Sequence, residues 1–290
     1  MRILLLHKTR KGGVGVYVRY VKKELEKEGH TVVEVTRNED LEVTSFTKSI
    51  GILKKRTKLW KTEFDIIHAN DWSIVFPLLR EGAENLVATF HALPTNPVAK
   101  IFQDYCVKKL KERAVVISPF MKKEYKKATY IPNGVDLALF KRNRKRTKGS
   151  LTAGVAQNYN KERIKEACIK NGFGFHDTEG KLSYSRLPDF FSGLEVFISM
   201  PYKQAGFNMV WLEAMACEVP LIIGTEAGIG SELPIYKVKN FKELEATLAD
   251  IREGKLKELR GQRKWIEDNH MTWKETAKEL VKLYKEVRAL

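Results

Sequence analysis

Residues 203–219, KQAGFNMVWLEAMACEV, set one acid, Glu213, among apolar Val210, Leu212, Met215 and Val219, just after a loop that opens into a helix. Bare amides at Gly206, Phe207, Asn208 and Met209, with the positive helix end behind them, suit a phosphate. A carboxylate on the same helix would accept hydrogen bonds from sugar or ribose hydroxyls. Taken alone, the segment reads better as an ordinary amphipathic helix whose acid is solvated. His91, in LVATFHALP at 86–94, follows an apolar run and precedes Pro94, which places it at a strand's carboxyl edge. A packed, satisfied histidine is its other reading. In FDIIHANDWSIVFP at 64–77, His68 and Asp71 fall at or just beyond another strand end. His68 could equally be a core histidine, and Asp71 reads better as the N-cap of the helix that follows. Gly12, Gly13 and Gly15 in KGGVGVYVRYV at 11–21 let the backbone turn tightly and approach a ligand. Their spacing is neither the dinucleotide G-x-G-x-x-G nor a Walker loop.

The elements that position these residues follow from periodicity. Strands are expected at 3–6, 31–35, 65–68, 87–90, 115–118 and 129–131, with helices such as 16–28, 74–80 and 98–112 between them. Strands apolar throughout and separated by helices indicate a parallel sheet covered on both faces. The run KRNRKRTKG at 141–149 has no apolar period and reads as a linker; as a nucleic-acid arm it lacks aromatics to stack on bases. The pattern restarts with strands at 151–156, 172–176, 196–200 and 221–224, which implies a trimmed second sheet. Three helical segments close the chain, and in the last Trp273, Ala277, Leu280, Val281, Tyr284 and Val287 form one apolar stripe. The expected domains are therefore 1–147 and 148–271. Two such units imply a cleft, with ligands at the carboxyl ends of the strands.

A length of 290 residues allows about two cores. Hydrophobic content of 43% beside 30% charged residues excludes a disordered chain. The Lys and Glu loading is thermophile-like. Three cysteines, Cys106, Cys168 and Cys217, lack metal-ligand spacing and fit a reducing cytoplasm. The start, MRILLLHKTRKGG, is too briefly apolar for a signal peptide and reads as a buried first strand. The net charge of +16 points to an anionic membrane or nucleic acid, or else to a solvated lysine-rich surface. KSIGILKKRTKLWK at 48–61 mixes Ile50, Ile52, Leu53, Leu59 and Trp60 with six Lys or Arg. It reads either as an interfacial helix on the inner membrane face or as a surface helix packed on the first sheet.

These segments, taken together, resemble glycosyltransferase family 4, the retaining enzymes of GT-B fold. The stretch A-G-F-N-M-V-W-L-E-A-M-A-C-E-V-P falls without a gap on that family's E-G-F-G-L-x-x-L-E-A-M-A-x-G-x-P signature. The resemblance implies two Rossmann-like domains facing across a cleft, with the terminal helix, 272–290, packing back on the first. It also implies sugar transfer from a nucleotide-sugar to a hydroxyl acceptor, glycan or lipid-linked. Glu213 would bind the donor ribose, His91 would lie beside the donor sugar, and Gly13 and Gly15 would face the donor phosphates. Lys161, in LTAGVAQNYNKERI, falls where the family lysine neutralises the diphosphate. The partner arginine position is Val155 and the first signature acid is Ala205. Arg186 or Lys203 could supply the missing charge. AVVISPF, YIPNGVDLALF and GTEAGIGSEL add further ordered matches.

No Asp-x-Asp pair occurs, so no metal and no cofactor is expected. Nucleic acid is not an expected partner. Two other functions are consistent with the letters: a catalytically degenerate sugar-nucleotide binder, and a nucleic-acid-modifying glucosyltransferase.

Overall fold

The structure, a computed structural model, describes residues 1–143, 151–156, 160–178, 180–201, 207–224, 233–256 and 259–289. The chain divides into two compact units: Met1–Asn133 with Trp273–Leu290, and Gly134–Thr272. Residues 134–143, which the basic run had suggested belong to the first domain, therefore fall in the second unit.

The first unit alternates strand and helix: β1 (Arg2–His7), α1 (Gly12–Lys27), β2 (Thr31–Thr36), α2 (Phe46–Glu63), β3 (Ile66–Asn70), α3 (Trp72–Arg80), β4 (Leu86–Phe90), α4 (Pro97–Leu110), β5 (Ala114–Val116), α5 (Pro119–Glu124) and β6 (Thr129–Tyr130). All pairings are parallel, in the order β2-β1-β3-β4-β5-β6. The apolar runs form strands because helices cover both faces, and every residue of β3, β4 and β5 is buried. Strand order reverses between β1 and β3, so their carboxyl ends border the crevice where such sheets take ligands. Helix α1 begins at Gly12, four residues earlier than the apolar period indicated. Gly13 and Gly15 thus lie in its first turns rather than in a loop.

The second unit contains β7 (Thr152–Val155), α6 (Lys161–Lys170), β8 (Gly174–Asp177), α7 (Leu187–Ser192), β9 (Val196–Ser199), α8 (Met209–Ala216), β10 (Leu221–Gly224), β11 (Tyr236–Val238), α9 (Phe241–Arg252) and α10 (Gln262–Asp268). Its parallel sheet has the order β11-β10-β9-β7-β8, one strand fewer than the first. The switch point here lies between β7 and β9. Chain leaving β7 enters α6, and chain leaving β9 enters α8, so the order of the strands puts Lys161 and Glu213 on the helices that flank one point. Gly154 is a packing glycine: a Cβ there would sit 2.5 Å from the Leu194 side chain.

The closing helix, α11 (Trp273–Arg288), packs against α1 of the first unit. Its apolar stripe, read from the 3.6 period, is buried at Trp273, Ala277, Leu280, Val281, Tyr284 and Val287.

Candidate functional site

In the first unit the polar residues gather at the carboxyl edge of β1, β3 and β4. Asn70 pairs in register with Thr89, so His68, Asn70 and Thr89 share the sheet face that α1 and α11 cover. His68 is fully buried, with Nδ1 2.5 Å from the Tyr284 hydroxyl and Nε2 2.8 Å from Thr89 Oγ1. Burial, and then the neighbouring His91, push its pKa down to about 3, which keeps the ring neutral. Both nitrogens are engaged by protein, so this histidine joins α11 to the sheet. Asp71 caps α3, accepting from the Ser73 amide at 2.7 Å, and does so at φ 95°, a strained value for a residue with a Cβ.

His91 differs from His68 in one respect. Its Nε2 lies 2.9 Å from Asn70 Oδ1, Tyr17 meets the ring edge-on at 4.8 Å, and the residue is half-buried. Asn70 is fully buried and donates through Nδ2 to the Leu6 carbonyl at 3.2 Å. A carbonyl can only accept, so that contact fixes which way the amide points. Asn70 therefore offers an oxygen to His91, and Nε2 must carry the proton. Burial and then nearby His7 lower the His91 pKa to about 3. The ring is neutral in one tautomer, with a lone pair at Nδ1 and no protein hydrogen bond there among the described residues. It can accept a hydroxyl proton; it cannot pair with a carboxylate.

The glycines of α1 serve the chain itself. A Cβ at Gly15 would lie 2.0 Å from the Arg10 carbonyl, so the preceding loop folds directly over this position. Gly13 is exposed, and no side chain caps α1. The loop is tied down by Arg10, which reaches Asp40 at 2.7 Å and Glu34 at 3.3 Å, while His7 meets Glu34 at 3.1 Å. A wide groove of 1140 Å³ occupies the opposite, amino-terminal edge of this sheet, lined by Asp65, Asn85 and Arg113 among others. Acids and bases alternate along it, and no chemistry converges there.

In the second unit Glu213 lies on the second turn of α8, not the first, and is 2% exposed. Trp211, Leu212, Met215 and Phe140 belong to the apolar core around it. Oε1 accepts from the Tyr184 hydroxyl at 2.8 Å, and Oε2 is buried with no partner among the described residues. Burial raises the carboxyl pKa to about 7, with the Tyr184 bond opposing. Buried polar atoms are almost always bonded, so an orphan carboxylate oxygen marks a place for a donor group that the described residues do not supply. Asn208 precedes α8, no side chain caps the helix, and Phe207 meets Trp211 edge-on at 5.2 Å.

Lys161 opens α6, and its ammonium is paired with Asp177 at the end of β8. Asn160, at φ 53°, ties this turn to the end of β9 through a 2.8 Å bond to the Met200 carbonyl. Val155, in the place of the family arginine, is fully buried in β7. Arg186 is exposed, 3.8 Å from Asp189 and two residues from Tyr184. Gly206, Lys203 and Ala205, and the 224–233 segment apart from its ends, lie outside the described residues. Sequence reasoning missed Tyr184, Asn70, Thr89 and Tyr17. Tyr184 opens the stretch YSRLPDFF at 184–191, but nothing in the letters says that its hydroxyl meets an acid 29 residues on.

Residues 11–139 match the family model of Glycosyltransferase Family 4. No curated protein sequence matches the chain significantly. Among solved structures, a glycosyltransferase from Rickettsia africae superposes with a TM-score of 0.65 at 16% identity, covering 99% of this chain and 98% of that one. HepE of Anabaena, in complex with UDP and glucose, gives 0.70 at 14% identity over 99% and 100%. A trehalose-6-phosphate synthase gives 0.72 at 11% identity over 99% of each chain. These likenesses span both units and establish the fold. Residues 11–139 thus match the model of glycosyltransferase family 4, and the chain as a whole has the two parallel-sheet units of the GT-B fold.

Proposed function

We propose that the chain is a retaining, metal-independent glycosyltransferase that moves a sugar from a nucleotide-sugar to a hydroxyl on a glycan or lipid-linked acceptor, in the cytoplasm. The observation that carries this reading is Glu213: a buried acid with one oxygen held by Tyr184 and the other without a donor among the described residues. A ribose hydroxyl supplies the missing donor. HepE with UDP-glucose and a rhamnosyltransferase with thymidine diphosphate, both of similar fold, support a nucleoside diphosphate as the ligand. A structure of the trehalose-6-phosphate synthase addresses glycosyl transfer with retention, which supports the stereochemistry.

In this reading Glu213 anchors the ribose, and the amides at 206–209 receive the diphosphate at the start of α8. Charge develops on the leaving diphosphate, and preorganised positive groups stabilise it. Lys161 is the first of these, exchanging Asp177 for phosphate; Arg186 and Lys203 are further candidates. No Asp-x-Asp pair is present to carry a metal to the phosphates. His91 accepts a hydroxyl of the transferred sugar at Nδ1. The acceptor hydroxyl attacks on the face from which the diphosphate departs, so configuration is retained.

The pairing of Lys161 with Asp177 favours one second reading: a protein that binds donor and turns nothing over. A thermal-shift series with uridine, guanosine and adenosine diphosphate-sugars tests both. The matched donor raises Tm by linkage, and Glu213→Ala removes the rise. Release of nucleoside diphosphate separates enzyme from binder. No shift with any nucleotide-sugar would refute both.

A further inference from the structure

The first unit carries an apolar surface that its own fold does not use. Helix α4 buries Gln103, Cys106, Val107 and Leu110 against the sheet. On its outer side Val98, Ile101, Phe102 and Tyr105 recur at the helical spacing of i, i+3, i+4 and i+7. Val98 is 60% exposed, Ile101 67% and Tyr105 37%. Phe102 stacks on Trp72 at 5.4 Å and meets Phe76 edge-on at 4.8 Å, and Phe46 closes on Trp72 at 5.0 Å. The stripe therefore runs into half-buried rings from the starts of α2 and α3.

The charge around it has one sign. α3 packs between α2 and α4, and these three helices carry ten Lys and Arg against two acids, Glu63 and Asp104. Lys54 is paired with Glu81, and Lys100 with Asp104 and Glu124. Lys48, Lys55, Arg56, Lys58, Lys108 and Lys109 are exposed. Trp60 is not part of this surface: it is 7% exposed, on the α2 face with Leu53 and Thr57 that packs inward. The membrane contact read from 48–61 cannot use it.

We propose that the outer face of α4, with the ring cluster at the head of α3, docks on an anionic lipid surface. Aliphatic side chains gain by entering the acyl boundary, aromatic rings suit the headgroup level, and surrounding cations meet lipid phosphates. Nucleic acid would use the cations but gains nothing from Val98 and Ile101, and the rings already face one another rather than an incoming base. No described helix is long and apolar enough to cross a membrane, so the contact is peripheral. The docked helix also braces the loop bearing His91, since Gln103 donates to the Ala92 carbonyl at 3.0 Å. The surface stands apart from the transfer chemistry and survives if that reading fails.

The test is co-sedimentation of the full chain with vesicles of phosphatidylcholine alone and of phosphatidylcholine mixed with phosphatidylglycerol. Binding only to the mixed vesicles is expected, weakening as salt rises. Val98→Ser with Ile101→Ser, both exposed, should lower the bound fraction constant by about tenfold, and Lys55→Glu with Lys58→Glu should do likewise. Ile169→Ser, 60% exposed on α6 of the other unit, is the control and should bind as the parent does. Failure of the parent to bind mixed vesicles would overturn the proposal, as would undiminished binding by the Val98/Ile101 variant. A dimer in solution that the same variant dissolves would reassign the face to a second copy. Binding to a DNA duplex that displaces the vesicles would reassign it to nucleic acid.

Discussion

The network around His68 in the first unit and the acid of α8 in the second treat buried polarity in opposite ways. At the carboxyl edge of the first sheet, His68 has both nitrogens engaged, Asn70 spends its amide on Leu6 and its oxygen on His91, and Thr89 serves His68 and Tyr17. In the second unit, Glu213 keeps one oxygen without a partner among the described residues, at 2% exposure. The His68–Asn70–Thr89 network is complete within the protein and holds the His91 ring in one tautomer, whereas His91 Nδ1 and the buried His7 Nδ1 have no bond among the described residues. The Glu213 arrangement is unfinished and is stabilised when a donor arrives. Full pairing marks a support; an orphaned carboxylate oxygen marks a place where a donor would be stabilising.

The comparison breaks most readily at Glu213. Glu213→Ala should remove the nucleotide-sugar Tm shift and lower turnover by about 100-fold or more, in a nucleoside diphosphate release assay. A rise in Tm with donor in that variant would move the ribose elsewhere.

The same acid sets a pH dependence. In the unfolded chain its ordinary pKa is 4.5, and burial lifts it to about 7. Below 4.5 it is neutral in both states; as pH rises through 7 the fold must carry the charge. That costs the ligand-free protein about 3 kcal/mol. Hydroxyl donors relieve the cost, so the donor-induced Tm rise should be larger at pH 8 than at pH 5. A larger rise at pH 5 would mean that the ligand does not meet the ionised acid.

A smaller effect is expected on the finished side. Asn70→Leu leaves the Leu6 carbonyl and His91 Nε2 unpaired and should cost about 1–3 kcal/mol. It should also release the tautomer, seen as mixed Nδ1 and Nε2 protonation in nitrogen-detected NMR of His91. An unchanged Nε2–H signal would show that Asn70 does not position the ring. The smallest change is Tyr284→Phe, which removes one bond to His68 and should lower stability by about 1–2 kcal/mol. Donor affinity should stay at the parent value; a matching loss of affinity would blur the contrast between the units.

Much of this was legible in the letters, for reasons that can be named. Fully apolar runs such as LVATF fixed a covered parallel sheet, and the 3.6 period of TWKETAKELVKLY fixed the buried stripe of α11. The burial of Glu213 was not legible from the segment alone, since Val210, Leu212 and Met215 around one acid also describe an amphipathic helix with a solvated carboxylate. The start of α1 was misjudged because Gly12, Gly13 and Gly15 are poor helix formers, whereas the fold uses Gly15 to pass beneath the Arg10 backbone. Trp60 looked interfacial until its spacing from Leu53 and Thr57 was realised as a packed face. β11 is three residues long, too short to show a period. The Tyr184–Glu213 and Tyr284–His68 bonds span 29 and 216 residues, and no local pattern encodes such pairs.

The placement of α11 has a consequence for how the chain is made. Gly134–Thr272 is continuous and can collapse as soon as it leaves the ribosome. The strands of the first unit must wait, because Trp273, Leu280 and Tyr284, which cover α1 and satisfy His68, are translated only after the whole of the second unit. The first unit thus matures after the second, and a nascent chain arrested before 273 would leave its strands open to chaperones and proteases.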